Sequence, residues 1–412
     1  MKVTITWPKI FGSSSEQSRL PFYDAYTVAK LQRCFGLYPN YASFENNGHP
    51  PSLTKNNNHG GGEKNTGQGQ SEHPGENFTD GDDDEAGEKD EAPCFIAQNK
   101  LWYYLFSFGA WLGDDSFYFV VFSLVISNLS WWVSRRMLLI WGICMYIGQA
   151  AKELLKWPRP SEPPVVRLER RYFMEYGMPS THAIVGTLMP FTFLCGTWDH
   201  YEYSHTLGTI LAFSWAMLVC FSRLYKGMHF ILDLVAGVTI TLVLMLLLWP
   251  WLDQMDHFLL THPQAPLVVI STSVFLCIIY PCQNGVASTR ADTITILCAV
   301  SGALCGFWFN YRTGMLPDAL APLGGVIGWP GWTTVGLMFI KYLMAQLLTA
   351  VMYLAVRAFL LQVIPVIYNI EINERTKRLL FVELPYRYIN YFGVGACSYV
   401  IIPLLFQKLN LD

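Results

Sequence analysis

The 412-residue chain is 52% hydrophobic and 14% charged, with a formal net charge of −3. That balance excludes a basic nucleic-acid-binding face, and no nucleic-acid partner is expected. Apolar runs recur from residue 117 onward and approach or exceed the length needed to cross a hydrocarbon core of roughly 30 Å, which excludes an ordinary soluble domain.

Residues 1–44 mix aromatic and charged side chains. Within them Tyr26, Ala29, Leu31, Cys34 and Leu37 recur loosely at helical intervals, which predicts an amphipathic helix on a membrane surface. Residues 45–93 are rich in Gly, Asn, Asp and Glu and end in an acidic run at 80–91, a composition too polar to offset ordering entropy, so a disordered linker is expected there. No apolar core follows Lys2, so the first span is expected to target the chain.

Residues 94–252 are expected to form a catalytic transmembrane core, and 253–412 a set of C-terminal transmembrane helices. Spans are predicted at 117–133, 137–155, 182–195, 206–221, 228–249, 267–281, 291–309, 335–356 and 388–406. They are helices, because lipid offers an open backbone no hydrogen-bond partner. Residues 101–112 are short for a span and read as an interfacial helix, and 358–370, broken by Pro365, as half of a hairpin. The fold class is therefore all-α, a polytopic bundle of about eight to ten helices. Lys341, inside the eighth run, has no assigned task.

The cysteines form no CxxC pair and mostly lie inside apolar runs, where they read as small core residues. Only two histidines, His182 and His229, have chemically useful neighbours, and no metal site and no cofactor is expected.

Those neighbours come from three strings at the ends of apolar runs: KELLKWPRP at 152–160, PSTH at 179–182 and SRLYKGMHFILD at 222–233. An imidazole attacks phosphorus through one nitrogen when the other keeps its proton, and a carboxylate on the second nitrogen holds that tautomer. Asp233 lies four residues after His229, on the same face of a helix opening near Met228. Arg223 is confined beside His229 by a short turn. Pro179 restrains the approach to a helix start where Ser180, Thr181 and the unpaired backbone N–H groups favour an anion. His182 in that first turn is placed to act as acid and then as base. Lys152 and Arg159 add positive charge that is costly so near lipid, which an anionic ligand explains. Lys156 reads as a helix-end lysine reaching for water.

Parity offers a check. The first two strings flank one loop, and two spans separate the second from the third, so all three meet at one membrane face. The basic pair Arg135 and Arg136, and the loop 371–387 with Arg375, Lys377, Arg378 and Arg387, are expected opposite that face. Positive-inside reasoning then puts the site on the lumenal or extracellular side.

The three strings resemble the signature of the type 2 phosphatidic acid phosphatase superfamily: Lys, six residues, Arg-Pro; Pro-Ser-x-His; Ser-Arg, five residues, His, three residues, Asp. The resemblance implies a phosphohistidine mechanism with His229 as nucleophile, His182 as general acid and base, Asp233 orienting His229, and Lys152, Arg159, Ser180, Thr181 and Arg223 around the phosphate. The family usually has glycine where Thr181 stands. That variant, with WPRPSEPPVVR at 157–167, EYGMPSTHA at 175–183 and VELPYRY at 382–388, resembles the sphingosine-1-phosphate phosphatase branch. The likeness implies a membrane lipid substrate, a sphingoid-base 1-phosphate, and residence in the endoplasmic reticulum membrane with a lumenal site. A sphingoid head carries an ammonium, for which Glu175 or Glu169 is a candidate partner. A broad lipid phosphate phosphatase, a polyisoprenyl pyrophosphate phosphatase and a sphingolipid phosphotransferase remain as alternatives.

Overall fold

The computed structural model describes residues 23–40, 95–128, 130–169, 172, 175–281, 289–315, 328, 330–368 and 380–409. The expected disordered linker at 45–93 lies outside the described residues.

Asp24 caps the first helix, α1 (Ala25–Cys34), through its carboxylate to the amides of Tyr26 and Thr27. Val28, Ala29 and Gln32 are buried, so the helix docks on the bundle. Gln32 is 1% exposed; its amide nitrogen donates to the carbonyls of Val166 (2.7 Å) and Tyr225 (2.8 Å), and its oxygen accepts from Val166 N–H at 3.0 Å. Strand β1 (Leu37–Pro39) then pairs antiparallel with β2 (Phe95–Ala97), Leu37 opposite Ala97. Residues 23–40 are thus stitched to the core by Gln32 and by the pairing of β1 with β2.

Helices α2 (Lys100–Trp111) and α3 (Asp115–Asn128) follow. α2 packs its buried Phe106, Gly109 and Ala110 against the helix that ends at Tyr225, with the rings of Phe106 and Tyr225 4.7 Å apart. The expected span 117–133 is interrupted: α3 ends at Asn128, Ser130 is extended (φ −93°, ψ 131°), and α4 (Trp131–Leu155) begins at once. α4 covers about 37 Å at 1.5 Å per residue, so Arg135 and Lys152 lie near its opposite ends.

The remaining helices are α5 (Thr181–Thr197), α6 (His205–Tyr225), α7 (Ile231–Leu248), α8 (Leu252–Thr261), α9 (Ala265–Ile278), α10 (Arg290–Arg312), α11 (Trp332–Tyr368), α12 (Leu380–Arg387) and α13 (Gly393–Lys408). A π-helical turn at Tyr388–Phe392 joins the last two. Among the described residues six segments are long and apolar enough to cross a membrane: 131–155, 205–225, 231–261, 290–312, 332–367 and 382–408. The molecule is an all-α transmembrane bundle.

At the end away from Lys152, Arg135 forms a bidentate pair with Asp256 (2.6 and 2.8 Å), and Arg136 pairs with Asp253 while stacking over Trp132. At the Lys152 end, Glu153 accepts from the amide and hydroxyl of Thr289, and Arg290 pairs with Glu383 at 2.8 Å. Helices α10 and α13 approach so closely that a Cβ on Gly302 would overlap the Phe392 carbonyl and one on Gly395 the Ala299 carbonyl.

Two expectations about the C-terminal half change. Residues 358–368 continue α11, which runs through Pro365 for 37 residues instead of reversing as a hairpin. The chain therefore does not recross there, and the Arg290–Glu383 pair holds α12 and Arg387 at the same end as Lys152, not opposite it. Residues 369–379, with Arg375, Lys377 and Arg378, lie outside the described residues. Lys341 places its ammonium 5.7 Å from the ring centre of Phe406.

Candidate active site

The site forms where three chain reversals meet. α4 stops at Lys156, which takes the left-handed conformation (φ 55°) as its C-cap, while Lys152 one turn earlier is 1% exposed. α5 opens with Ser180 as N-cap, its hydroxyl accepting from Ala183 N–H at 3.4 Å. α6 ends at Arg223 and Tyr225, and the turn through Gly227 (φ +68°) delivers His229 just before α7. Ser180 N–H donates to the Asp233 carbonyl at 3.1 Å, which ties the second reversal to the third.

Arg159 is the hub. Its Nε donates to the Glu175 carbonyl (2.9 Å), its NH1 to the Met228 carbonyl (2.8 Å), and the same NH1 lies 3.2 Å from His229 Nε2. A guanidinium only donates, so Nε2 accepts and the ring proton sits on Nδ1. Nδ1 faces Asp233 Oδ2 at 3.4 Å, and that oxygen also accepts from Phe230 N–H at 2.9 Å. Burial, then the positive charges of Arg159, Arg223 and Lys152, hold the His229 pKa well below the usual imidazole value, which keeps the ring neutral and nucleophilic. Burial and Arg223 lower Arg159 to about 10, so it stays charged at neutral pH.

The second histidine lies along the same network. Lys152 Nζ donates to Thr181 Oγ1 at 3.3 Å and to Glu175 Oε2 at 3.0 Å, and Glu175 also holds Arg159 NH2 at 3.3 Å. His182, adjacent to Thr181, lines a cavity of about 20 Å³ with Gln149, Tyr172, Glu175 and Asp292. Gly113 presses on its ring, where an added Cβ would come within 2.8 Å of Cδ2. Arg223, 1% exposed, pairs with Glu169 at 2.8 Å and lies 5.8 Å from the Tyr172 ring centre. Burial alone would raise the Glu169 carboxyl, but Arg223 and Lys226 hold it down at about 2.

The fold therefore gathers His229, His182, Asp233, Lys152, Arg159, Arg223, Ser180 and Thr181 at one end of the bundle. It places the two candidate ammonium partners differently from expectation. Glu175 bridges Lys152 and Arg159, and Glu169 bridges Arg223 and Lys226, so each carboxylate is already compensated by two cations. An anion entering the cluster has to take these cations over from Glu175. Glu175→Gln is accordingly expected to tighten inhibition by inorganic phosphate or vanadate several-fold, read as a lowered inhibition constant; an unchanged or weakened constant contradicts this competition.

Several neighbours escaped the sequence reading. Tyr172 meets His182 edge to face at 5.9 Å and reaches Asp114 at 3.4 Å; nothing local marks it. Gln149 lies one helical turn before Lys152, a spacing that could have flagged it. Asp292 follows a loop on the same membrane side by the parity already used. Tyr23 packs on Trp157 (5.0 Å) and Phe230 (3.9 Å), the neighbours of the two reversals, and donates to the Pro158 carbonyl at 3.2 Å. Among the described residues no group of three or more His, Cys, Asp or Glu is placed to hold a metal ion.

The PAP2 superfamily model matches residues 117–255, which contain every reversal just described. Sphingosine-1-phosphate phosphatase 2 of Homo sapiens is 39% identical over 320 residues, covering 77% of this chain and 80% of the relative. The chain belongs to the PAP2 superfamily, in its sphingosine-1-phosphate phosphatase branch. The Mus musculus protein of the same name is 40% identical over 77% of this chain and 90% of its own length. Sphingosine-1-phosphate phosphatase 1 of Rattus norvegicus is 36% identical over 75% and 73%. No solved structure matches the chain. The likeness to these family members extends well beyond the PAP2 segment, which fits the C-terminal helices contributing to the same end of the bundle.

Proposed function

We propose that this chain is a phosphoric monoester hydrolase that releases sphingosine and related long-chain bases from their 1-phosphates, through a phosphohistidine on His229 and without a metal ion or other cofactor. The observation that carries the reading is the contact between Arg159 and His229 Nε2 at 3.2 Å, with Nδ1 turned toward Asp233. It supports a nucleophile held in the required tautomer beside a group that binds phosphate oxygens.

In the first step Nε2 attacks phosphorus, the P–O bond to the lipid breaks, and His182 gives its proton to the departing alkoxide. Asp233 stabilises the positive ring formed on phosphorylation, its long contact with Nδ1 shortening as charge develops. Lys152, Arg159 and Arg223 neutralise the transferring phosphoryl oxygens, the task metal ions perform in other phosphoryl-transfer sites, while Ser180 and Thr181 supply the helix start that favours an anion. In the second step His182 takes a proton from water, the oxygen attacks phosphorus, and the N–P bond breaks to release inorganic phosphate.

The sphingoid substrate is supported by the names of the relatives quoted above. A panel of sphingoid-base phosphates, phosphatidate, a polyisoprenyl pyrophosphate and a phospholipid donor with an alcohol acceptor tests it. Phosphate release fastest from the sphingoid members is expected; transfer to the acceptor, or a preference for pyrophosphate, rejects the assignment. Residence in the endoplasmic reticulum with a lumenal site is part of the proposal. With Arg387 at the site end, its charge support comes from Arg135 and Arg136 at the other. A glycosylation acceptor inserted in 282–288 that stays unmodified argues against it.

A further inference from the structure

The cavity beside His182 measures about 20 Å³, and one water needs about 10–15 Å³. It has room for a single water molecule and too little for a sphingoid base. A buried water is held by several polar groups, and the wall offers Gln149, Tyr172, Glu175, Thr181, His182 and Asp292. Most of these already have partners: Glu175 Oε2 accepts from Lys152 and Arg159, Thr181 Oγ1 accepts from Lys152, Tyr172 donates to Asp114, and Asp292 is engaged as well. Gln149 is different. It is 5% exposed, and its buried Oε1 meets no donor among the described residues. A buried carbonyl oxygen in that condition is unfavourable, so this atom suits a molecule that brings an O–H.

Local sequence puts the atom there. Gln149 and Lys152 are three residues apart on α4 and share a face. Gly148 lets α4 lie against the first turn of α5: a Cβ on it would overlap Ile184 Cδ1 and stand 4.0 Å from Thr181 Cγ2. The amide of Gln149 is thereby brought to the turn that carries His182. From the cavity the contacts lead back to the nucleophile in a fixed order: Thr181 to Lys152, Lys152 to Glu175, Glu175 to Arg159, and Arg159 to His229 Nε2. The cations stand between the cavity and His229, so a phosphoryl group carried on Nε2 among them turns its far side to the cavity. Attack from that side is what in-line displacement of the imidazole requires.

We infer that this cavity is the site of the hydrolytic water and that Gln149 is its positioning residue. The inference rests on the phosphohistidine reading above. Gln149 Oε1 accepts one O–H of the water, the second O–H points at His182, and an oxygen lone pair is left facing phosphorus. His182 takes the second proton as the O–P bond forms. The N–P bond breaks and its electron pair returns to Nε2, which leaves His229 neutral with its proton on Nδ1, releases inorganic phosphate and leaves His182 protonated for the next alkoxide. In the first step the departing oxygen belongs to the lipid, so Gln149 has no part in it.

The test uses the full chain in detergent–lipid micelles with radiolabelled nitrophenyl phosphate, quenched in alkali to preserve the phosphohistidine. Gln149→Met keeps the bulk and removes the acceptor. It is expected to lower the rate constant for phosphoenzyme breakdown about 10–100-fold, while nitrophenol release in the first turnover stays within about threefold of the parent, so that labelled enzyme accumulates. A side chain that merely supports the fold slows both steps; equal slowing, or unchanged breakdown, overturns the water site. So does a variant that loses only its preference for sphingosine 1-phosphate over an alkyl phosphate lacking the amine. Should Gln149→Met release no nitrophenol at all, Val185→Ile decides, because it adds one methylene to the cavity wall and removes no polar group. The same split between the two steps is expected, and parental breakdown overturns the proposal. Absence of a phosphoenzyme from both the parent and His182→Ala overturns the phosphohistidine reading and the water site with it.

Discussion

Replacing His229 with alanine is expected to lower phosphate release by about 10⁴-fold or more, to the floor of the assay, because water must then attack phosphorus directly. Chelators are expected to change the parent's activity little. Asp233→Asn should cost less than the loss of His229, since the ring remains and only its tautomer and charge lose support. His182→Ala tests the other half of the cycle. With a lipid substrate both steps slow, by about 10²–10⁴-fold. With an activated aryl phosphate the first step no longer needs an acid, so a burst of aryl alcohol and an acid-labile, base-stable phosphoenzyme are expected. The label should disappear in a His182→Ala, His229→Ala double variant. Substantial hydrolysis by His229→Ala, or a requirement for a divalent cation, rejects the mechanism.

Gly227→Ala is the second change with a large expected effect, and it touches no reacting atom. Gly227 lies at φ +68°, where an alanine is strained by about 1–2 kcal/mol. The new Cβ would also overlap the Val166 carbonyl and Val165 Cγ1, and it would stand 2.9 Å from Gln32 Nε2. Relief requires the turn to shift, and the turn carries both Arg223 and His229: Met228 N–H donates to the Arg223 carbonyl at 3.0 Å, and Arg159 holds the Met228 carbonyl at 2.8 Å. Displacement of about 1 Å at a nucleophile commonly costs about 10²-fold in rate, so a loss of that order is expected together with a lower thermal midpoint. Gly314 separates the two causes. It has φ +72° but nothing within 4 Å of an added Cβ, so Gly314→Ala should show the conformational strain without the loss of activity. Gly227→Ala with parental rate and stability would falsify the claim that this turn is held from both sides.

The candidate reactive groups were legible from the chain because they are local patterns. His229 and Asp233 are one helical turn apart, Ser180 through His182 occupy a helix start, and Arg159 sits between two prolines just past a helix end; each is a statement about a few consecutive residues. The parity of the spans then placed all three strings on one face, since crossing a bilayer twice returns the chain to its starting side. The same counting failed for Arg387. It assumed that Pro365 marks a reversal, whereas α11 absorbs that proline and continues. An apolar run of that length does not say whether it crosses once, long and tilted, or twice as a hairpin.

Residue order by itself determined the membrane-spanning class, the family and the candidate side chains that the fold gathers at one end of the bundle, because periodicity, capping and motif spacing act over one or two turns. Only the tertiary structure decided which acid the cations hold, that residues 23–40 pack beside the reversals, and that Asp292 reaches the cavity lined by His182. Tyr23 meets Pro158 across 135 positions of sequence, and Gln32 meets Tyr225 across 193. Such contacts arise when separately formed helices pack, and packing depends on the shapes of whole faces, which no short stretch of residues encodes.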